Sequence, residues 1–219
     1  MARYGILIDL NRCTGCMTCV IACKQENLTL PGVWWNKVLE LENESSGRII
    51  YCRYACMHCD HPPCVAACPS HAIYKREDGI VLIDQEKCNG TGDCVTACPY
   101  GAITINPYDQ YFSNGDLPYQ ENGDAHRRHL SGKASMCTLC VHRIEQGKDP
   151  ACVAGCPSKA MIFGDLDDPH SPIRGKFPES RPLLAFEGTR PGVFYLNSGR
   201  LHNQLEQRIQ ERPELEKDR

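Results

Sequence analysis

The sequence lacks any run approaching the eighteen or so apolar residues that a membrane-spanning helix needs, so no span is expected within its 219 residues. It lacks an excess of charge of either sign: 24 Lys and Arg stand against 27 Asp and Glu, a formal net charge of −3. That balance gives no reason to expect nucleic acid or an anionic membrane surface as a partner. It also lacks a nucleophile–base pair, a Gly-rich phosphate loop and any substrate-like cluster of polar side chains, so no catalytic site is expected in this chain. The first residues, Met1-Ala-Arg-Tyr-Gly-Ile-Leu-Ile-Asp9, contain no long apolar leader segment and run straight into a strand pattern.

What the chain has in abundance is cysteine, sixteen in all. A disulfide scaffold would need an oxidising compartment and is ordinarily a short secreted chain. Most of these cysteines are separated by only two or three residues, a spacing that rarely offers disulfide geometry. Metal binding is the better reading.

An internal repeat organises the sequence. Cys-Pro-x-x-Ala-Ile/Met begins at Cys68, Cys98 and Cys156, and each copy leads into a strand-like run: Ile73-Tyr74, Ile103-Thr104-Ile105 and Met161-Ile162-Phe163. Ile6-Leu7-Ile8-Asp9 precedes Cys13, and Val81-Leu82-Ile83-Asp84 precedes Cys88. Each unit reads as strand, cysteine loop, short helical turn, proline, strand, the proline ending the turn. The expected fold is α+β: tandem bacterial-ferredoxin-like modules with short strands, short helices and long polar insertions. The expected division is residues 1–48 with 133–196 as one module, 49–105 as a second, 106–132 as an inserted polar loop and 197–219 as a helical tail. In that tail Leu201, Leu205 and Ile209 recur every four residues, the mark of an amphipathic helix packed on the body. The polar stretches Lys24–Arg48, Asn106–Ala134 and Asp165–Glu187 show no periodic hydrophobic pattern, so bound clusters are expected to supply much of the core.

The cysteines fall into four groups. Group one is Cys13-x2-Cys16-x2-Cys19-x3-Cys23, which matches the bacterial ferredoxin run. Group two is Cys56-x2-Cys59-x4-Cys64-x3-Cys68-Pro69, group three Cys88-x5-Cys94-x3-Cys98-Pro99, and group four Cys137-x2-Cys140-x11-Cys152-x3-Cys156-Pro157. Two intervening residues let the backbone curl round a compact cluster while successive thiolates reach different irons. The last cysteine lies beyond the turn and, in two-cluster ferredoxins, ligates the neighbouring cluster. Groups two and three are contiguous and suit such a pair, which leaves groups one and four to complete each other. Zinc competes for C-x2-C pairs, but it has no use for three close cysteines, a fourth after three more residues, and then proline.

Four such groups in this order resemble the iron–sulfur subunits of the molybdopterin oxidoreductase (dimethyl sulfoxide reductase) superfamily, of the polysulfide, thiosulfate, arsenate reductase or transhydroxylase type. The similar phrases are Ala22-Cys-Lys-Gln-Glu-Asn27, Cys56-Met-His-Cys59 with Pro62-Pro63-Cys64, and Cys137-Thr-Leu-Cys140, and the likeness runs from Tyr4 to about Leu196. The resemblance implies four ligand sets: Cys13, Cys16, Cys19 and Cys156; Cys137, Cys140, Cys152 and Cys23; Cys56, Cys59, Cys64 and Cys98; and Cys88, Cys94 and Cys68 with one position missing. It implies a relay of single electrons to or from a large molybdopterin-containing catalytic subunit. Quinone-linked members add a membrane subunit. Members without a leader work in the cytoplasm, or in the periplasm after co-export with a signal-bearing partner. A free-standing or hydrogenase-linked polyferredoxin is the competing reading.

The missing position is Thr91, which stands where group three would have its second cysteine, with the spacing intact. A neutral hydroxyl is a poor substitute for thiolate on iron. The leading expectation is therefore three [4Fe–4S] clusters plus one [3Fe–4S]. A fourth [4Fe–4S], with water, Thr91 or Asp93 on the odd iron, and a site that is empty or ligated from afar are the alternatives. Cys52, outside every group, reads as a small buried residue that could still reach the vacant position.

His58 and His61 sit among the ligands of group two, where four cysteines already suffice, so hydrogen bonding or partner contact is expected of them. Arg12, Lys87, Arg143 and Lys159 flank cysteines and could raise cluster potentials, meet an acidic partner or simply be solvated. Trp34-Trp35 reads equally as an interface anchor or as buried core. His126, Arg127, Arg128 and His129 read as a solvated basic knot.

Overall fold

A computed structural model describes residues 2–43, 47–108, 129–199 and 201–211. Short elements follow one another without a dominant layer, and the chain is α+β. The strands are β1 (Tyr4–Asp9), β2 (Asn36–Asn43), β3 (Arg48–Ala55), β4 (Ile73–Lys75), β5 (Val81–Ile83), β6 (Thr104–Ile105), β7 (Ala134–Ser135), β8 (Met161–Asp165), β9 (Arg181–Pro182) and β10 (Val193–Leu196). The helices are α1 (Thr18–Asn27), α2 (Pro63–Ala66), α3 (Asp93–Ala97), α4 (Val141–Ile144), α5 (Ala151–Ala154) and α6 (Leu201–Gln210). Among the described residues no helix is long and apolar enough to cross a membrane.

The strands expected after the three Cys-Pro phrases form, as β4, β6 and β8. β1 runs antiparallel to β8, with Ile6 opposite Phe163 and Ile8 opposite Met161. Its other edge carries β10 in parallel, and β9 closes a four-stranded sheet of order β8-β1-β10-β9. Ile6, Leu7 and Ile8 are all fully buried because β1 is covered on both faces. β4 and β5 make the equivalent hairpin between groups two and three. Proline presets the start of two short helices, at Pro63 in α2 and at Pro150 before α5. α2, α3 and α5 stop at the Cys-Pro steps, because the residue before proline is driven to extended backbone.

The stretch Lys24–Arg48 does contain a periodic strand, contrary to the expectation. β2 pairs with β3 along its whole length, Val38 opposite Arg53 and Leu39 opposite Cys52. Leu39 and Leu41 are buried while Glu40 and Glu42 are exposed, so these glutamates form the wet face of an amphipathic strand. Glu44, at its end, lies outside the described residues. The 48/49 division falls inside β3, whose partner β2 belongs to the first module; the two modules share this hairpin and one continuous core.

The polar stretch Asp165–Glu187 likewise contributes apolar anchors. Leu166 and Ile173 pack with Leu7, Phe194 and Leu196 in a separate small core. In α6, Leu205 and Ile209 are buried as the four-residue repeat requires, each contributing about 1.5–3 kcal/mol of burial. Trp35 is 5% exposed and donates from Nε1 to Ser135 Oγ at 3.1 Å. Trp34 is half-buried, with Lys24 Nζ 4.4 Å from its ring centre. Burial, rather than an exposed anchor, is therefore the fate of Trp35. His126, Arg127 and Arg128 lie outside the described residues; His129 is not solvated but buried, with Nε2 2.8 Å from the Asn27 carbonyl.

Candidate metal centres

The residue two places after the opening cysteine of each group has a positive φ: Gly15 at 69°, His58 at 44°, Gly90 at 74° and Leu139 at 55°. This left-handed step curls the loop so that the next side chain returns toward the first. Only two of the four carry glycine, so the conformation is imposed on His58 and Leu139 by their surroundings. Group three keeps the curl despite Thr91, which makes that loop a complete cradle with one thiol replaced. The Cys-Pro repeats share a second such step, three residues after the cysteine, at His71, Gly101 and Lys159. It turns the chain from the proline back into the next strand.

These loops bring cysteines distant in sequence together. Cys156 lines one cavity with Cys13, Cys16 and Cys19. Cys98 lines another with Cys56, Cys59 and Cys64. A third is lined by Cys68, Cys88, Cys94 and Thr91. In the fourth place, Asn27 Nδ2 lies 3.6 Å from both Cys23 Sγ and Cys140 Sγ. Cys137, Cys152 and Cys140 are close enough to Cys23 to push its thiol up beyond the effect of burial. These are the Cys13, Cys56, Cys68 and Cys23 sites below.

Donors surround the sulfurs. Backbone N–H groups of Ala134, Leu139 and Ala160 point at Cys88, Cys137 and Cys156 Sγ, each at 3.4 Å. A hydroxyl stands two residues after three of the cysteines, Thr18 by Cys16 at 3.4 Å, Ser70 by Cys68 at 3.6 Å and Ser158 by Cys156 at 3.5 Å. Burial raises the Cys19 thiol to about 11 and those of Cys64 and Cys140 to about 12. Thiols held so far above neutrality are not nucleophiles at pH 7; they become anionic when a metal displaces the proton.

Arg53 tests the fit of an anionic cluster. It is 2% exposed, donates from Nε to Asn36 Oδ1 at 2.8 Å, and places Nη2 3.8 Å from Cys152 Sγ. Its Nη1 is buried without a hydrogen-bond partner. A cage of thiolate and sulfide would supply both the negative charge and the acceptor that this guanidinium lacks.

Other expectations resolve plainly. Cys52 is fully buried, faces Leu39 across the hairpin, and does not line the Thr91 cavity, so it is not a replacement ligand there. Asp93 does not line that cavity either, whereas Thr91 does. His58 accepts a hydrogen bond at Nδ1 from the Val81 N–H, 3.2 Å away, and burial together with Arg53 drives its pKa down to about 3. His61 Nδ1 is 3.3 Å from the Gly188 carbonyl, and neither histidine lines the Cys56 cavity. Of the flanking cations, Arg12 bonds the Ser158 carbonyl, Lys87 pairs with Asp84 and Arg143 pairs with Glu26. Arg53 was not among the cations the sequence singled out. Its only sequence signal is a charge in the middle of an apolar strand, Ile49-Ile50-Tyr51-Cys52-Arg53-Tyr54.

The chain matches the family model of the 4Fe-4S dicluster domain over residues 48–125 and 112–166, and that of a 4Fe-4S binding domain over 4–25. It is 41% identical over 214 residues to a Halobacterium salinarum protein provisionally named as the iron–sulfur subunit of a dimethyl sulfoxide reductase, covering 90% of this chain and 80% of that one. To a subunit of the tetrathionate reductase of Salmonella typhimurium it is 40% identical over 202 residues, covering 89% and 72%. To the arsenate respiratory reductase iron–sulfur subunit of a Shewanella species it is 34% identical over 226 residues, covering 90% and 97%. The chain belongs to this family, the non-catalytic iron–sulfur electron-transfer subunits of the molybdopterin oxidoreductases.

Proposed function

We propose that the chain carries four clusters in a row, three [4Fe–4S] and one [3Fe–4S], and relays single electrons to or from a large molybdopterin-containing subunit. The ligands are Cys13, Cys16, Cys19 and Cys156; Cys23, Cys137, Cys140 and Cys152; Cys56, Cys59, Cys64 and Cys98; and Cys68, Cys88 and Cys94. The observation that carries the reading is the gathering of cysteines from separate groups around common cavities.

The order of the row follows from contacts between sites. Arg53 lines the Cys13 cavity and reaches Cys152 Sγ, Cys56 packs against the hydrophobic cluster that holds Cys23 and Cys137, and α2, which carries Cys64, packs on α3, which carries Cys94. The sequence of sites is therefore Cys13, Cys23, Cys56, Cys68. Both ends come near solvent, where Cys16 and Thr91 are exposed. When bound, the clusters supply one-electron redox chemistry. The chain's own residues hold their ligands, aim N–H donors at the sulfurs and exclude water from the two inner sites.

At the Cys68 site three thiols and one hydroxyl support the three-iron assignment. Electron paramagnetic resonance of the oxidised protein tests it: a three-iron cluster gives a signal, whereas four-iron clusters are silent. A silent oxidised protein with a full complement of iron refutes the assignment. The catalytic partner is tested by gentle purification from the native source, which is expected to yield a large molybdopterin-containing chain, with a quinone-linked membrane subunit where the complex is membrane-bound. A stable, cluster-loaded protein that elutes alone refutes it. The same preparation from fractionated cells assigns the compartment, cytoplasm or, by co-export, periplasm.

A further inference from the structure

Among the described residues Arg53 is the only Lys, Arg, Asp or Glu side chain in the buried set, and none of the ion pairs they form includes it. A buried guanidinium without an anion is costly, so the identity of its counter-charge matters. Outside the cluster sites, the neighbouring Cys52 and Tyr195 do not qualify. Burial pushes the Cys52 thiol and the Tyr195 phenol well up, keeping both neutral, and Tyr195 spends its hydroxyl on the Arg53 carbonyl at 3.2 Å. What remains around the guanidinium is cluster-site sulfur. Arg53 lines the Cys13 cavity together with its cross-strand neighbour Val38. It reaches Cys152 of the Cys23 site through Nη2 at 3.8 Å.

The hairpin itself holds the side chain there. Asn36, two residues before Val38 in β2, accepts from Arg53 Nε at 2.8 Å while its own Nδ2 donates to the Cys19 carbonyl at 2.8 Å. One amide thus ties the guanidinium to the first turn of α1, which carries Cys19 of the Cys13 site. With Nη1 unpartnered, the fork keeps a donor in reserve.

We infer that Arg53 is a fixed positive charge shared by the Cys13 and Cys23 sites, and that it holds the reduction potentials of both clusters above those the same cysteine cages would set without it. The inference rests on the cluster assignment proposed above. Reduction adds one negative charge to a cluster, and a cation fixed in a low-dielectric interior stabilises the reduced form over the oxidised one. Arg53 is a positioning and tuning residue; the electron passes through the clusters.

The test is a potentiometric titration of the anaerobic holoprotein in its complex, following each cluster by electron paramagnetic resonance, for wild type, Arg53→Gln, Arg53→Lys and Asn36→Asp. Arg53→Gln is expected to lower two of the four potentials by about tenfold or more in the reduction equilibrium, which is about 59 mV for one electron. The three-iron signal, from the far end of the row, is expected to stay put and serves as the internal reference. Arg53→Lys keeps the charge and is expected to remain within about threefold of wild type. If Arg53→Gln fails to load iron, Asn36→Asp carries the test. It sets a carboxylate against the retained guanidinium, and the same two potentials are expected to fall. A loaded Arg53→Gln with all four potentials unchanged, or Lys and Gln variants shifted equally, or a loaded Asn36→Asp with no shift, overturns the inference. Wild-type protein lacking iron and sulfide would instead sink the cluster assignment itself, before any variant is compared.

Discussion

Gly90 offers a sharp structural test of the group three cradle, because two glycines in one loop differ in what an added side chain would meet. Gly90 and Gly92 both have positive φ, 74° and 83°. A Cβ on Gly92 would meet nothing within 4 Å, whereas a Cβ on Gly90 would sit 2.1 Å from the carbonyl oxygen of Gly132. Gly92→Ala therefore costs only the left-handed penalty, about 1–2 kcal/mol. Gly90→Ala adds a backbone collision, about 1–3 kcal/mol more. For a chain of this size each kcal/mol lowers the melting temperature by about 2–4 °C. Gly90→Ala should thus melt at least about 2–4 °C below Gly92→Ala in anaerobic scans at one heating rate. Displacing Gly90 also moves the loop of Cys88, Thr91 and Cys94 away from Gly132 and Lys133, whose Nζ bonds the Cys88 carbonyl. Iron at the Cys68 site should be lost selectively, with the oxidised three-iron signal weakening first. If Gly90→Ala were no worse than Gly92→Ala in both stability and signal, the docking of this loop against the 130–133 turn would be wrong.

Three further predictions address other parts of the structure. Thr91→Cys should raise iron from about fifteen to about sixteen per chain and abolish the oxidised paramagnetic signal; persistence of that signal would reject Thr91 as the cause. Burial opposes ionisation of Glu26, but hydrogen bonds from His142 and Arg143, each at 2.8 Å, together with the arginine charge hold its carboxyl below the usual carboxylate range. A depressed folded-state value means that this contribution is full above the unfolded value of about 4.3. It is lost as pH falls through the folded value. Glu26→Gln should therefore lower stability by about 0.5–1 kcal/mol at pH 7 and less at pH 3, read from denaturation midpoints; an equal loss at both would refute the pairing. Leu205→Ala should cost about 2–5 kcal/mol and expose α6 to proteolysis. A melting point unchanged from wild type would mean that α6 does not pack as described.

The cysteine grammar made much of this molecule legible, since each Cys-Pro-x-x-Ala-Ile/Met phrase carries its turn and its following strand within a few residues. Local signals also announced α6, through Leu205 and Ile209. Other features were hidden for physical reasons. His58, His71, Leu139 and Lys159 adopt left-handed backbone without glycine, because the cage and the returning strand impose it. Leu39-Glu40-Leu41-Glu42 does alternate, but so short an alternation inside a polar stretch does not stand out until β3 is seen beside it. The parallel pairing of β10 with β1 joins opposite ends of the sequence, and no local pattern announces such a pairing. Arg53 escaped notice because its significance lies in what surrounds it. A cation in an apolar strand carries no flag until the strand is found between two cysteine sites.

The central claim is that these thiols hold iron and sulfide. Anaerobic preparation followed by quantification of iron, acid-labile sulfide and zinc per chain tests it most directly. About fifteen irons with about sixteen sulfides, and no stoichiometric zinc, is the predicted result. Stoichiometric zinc, or a colourless protein without labile sulfide, would contradict it.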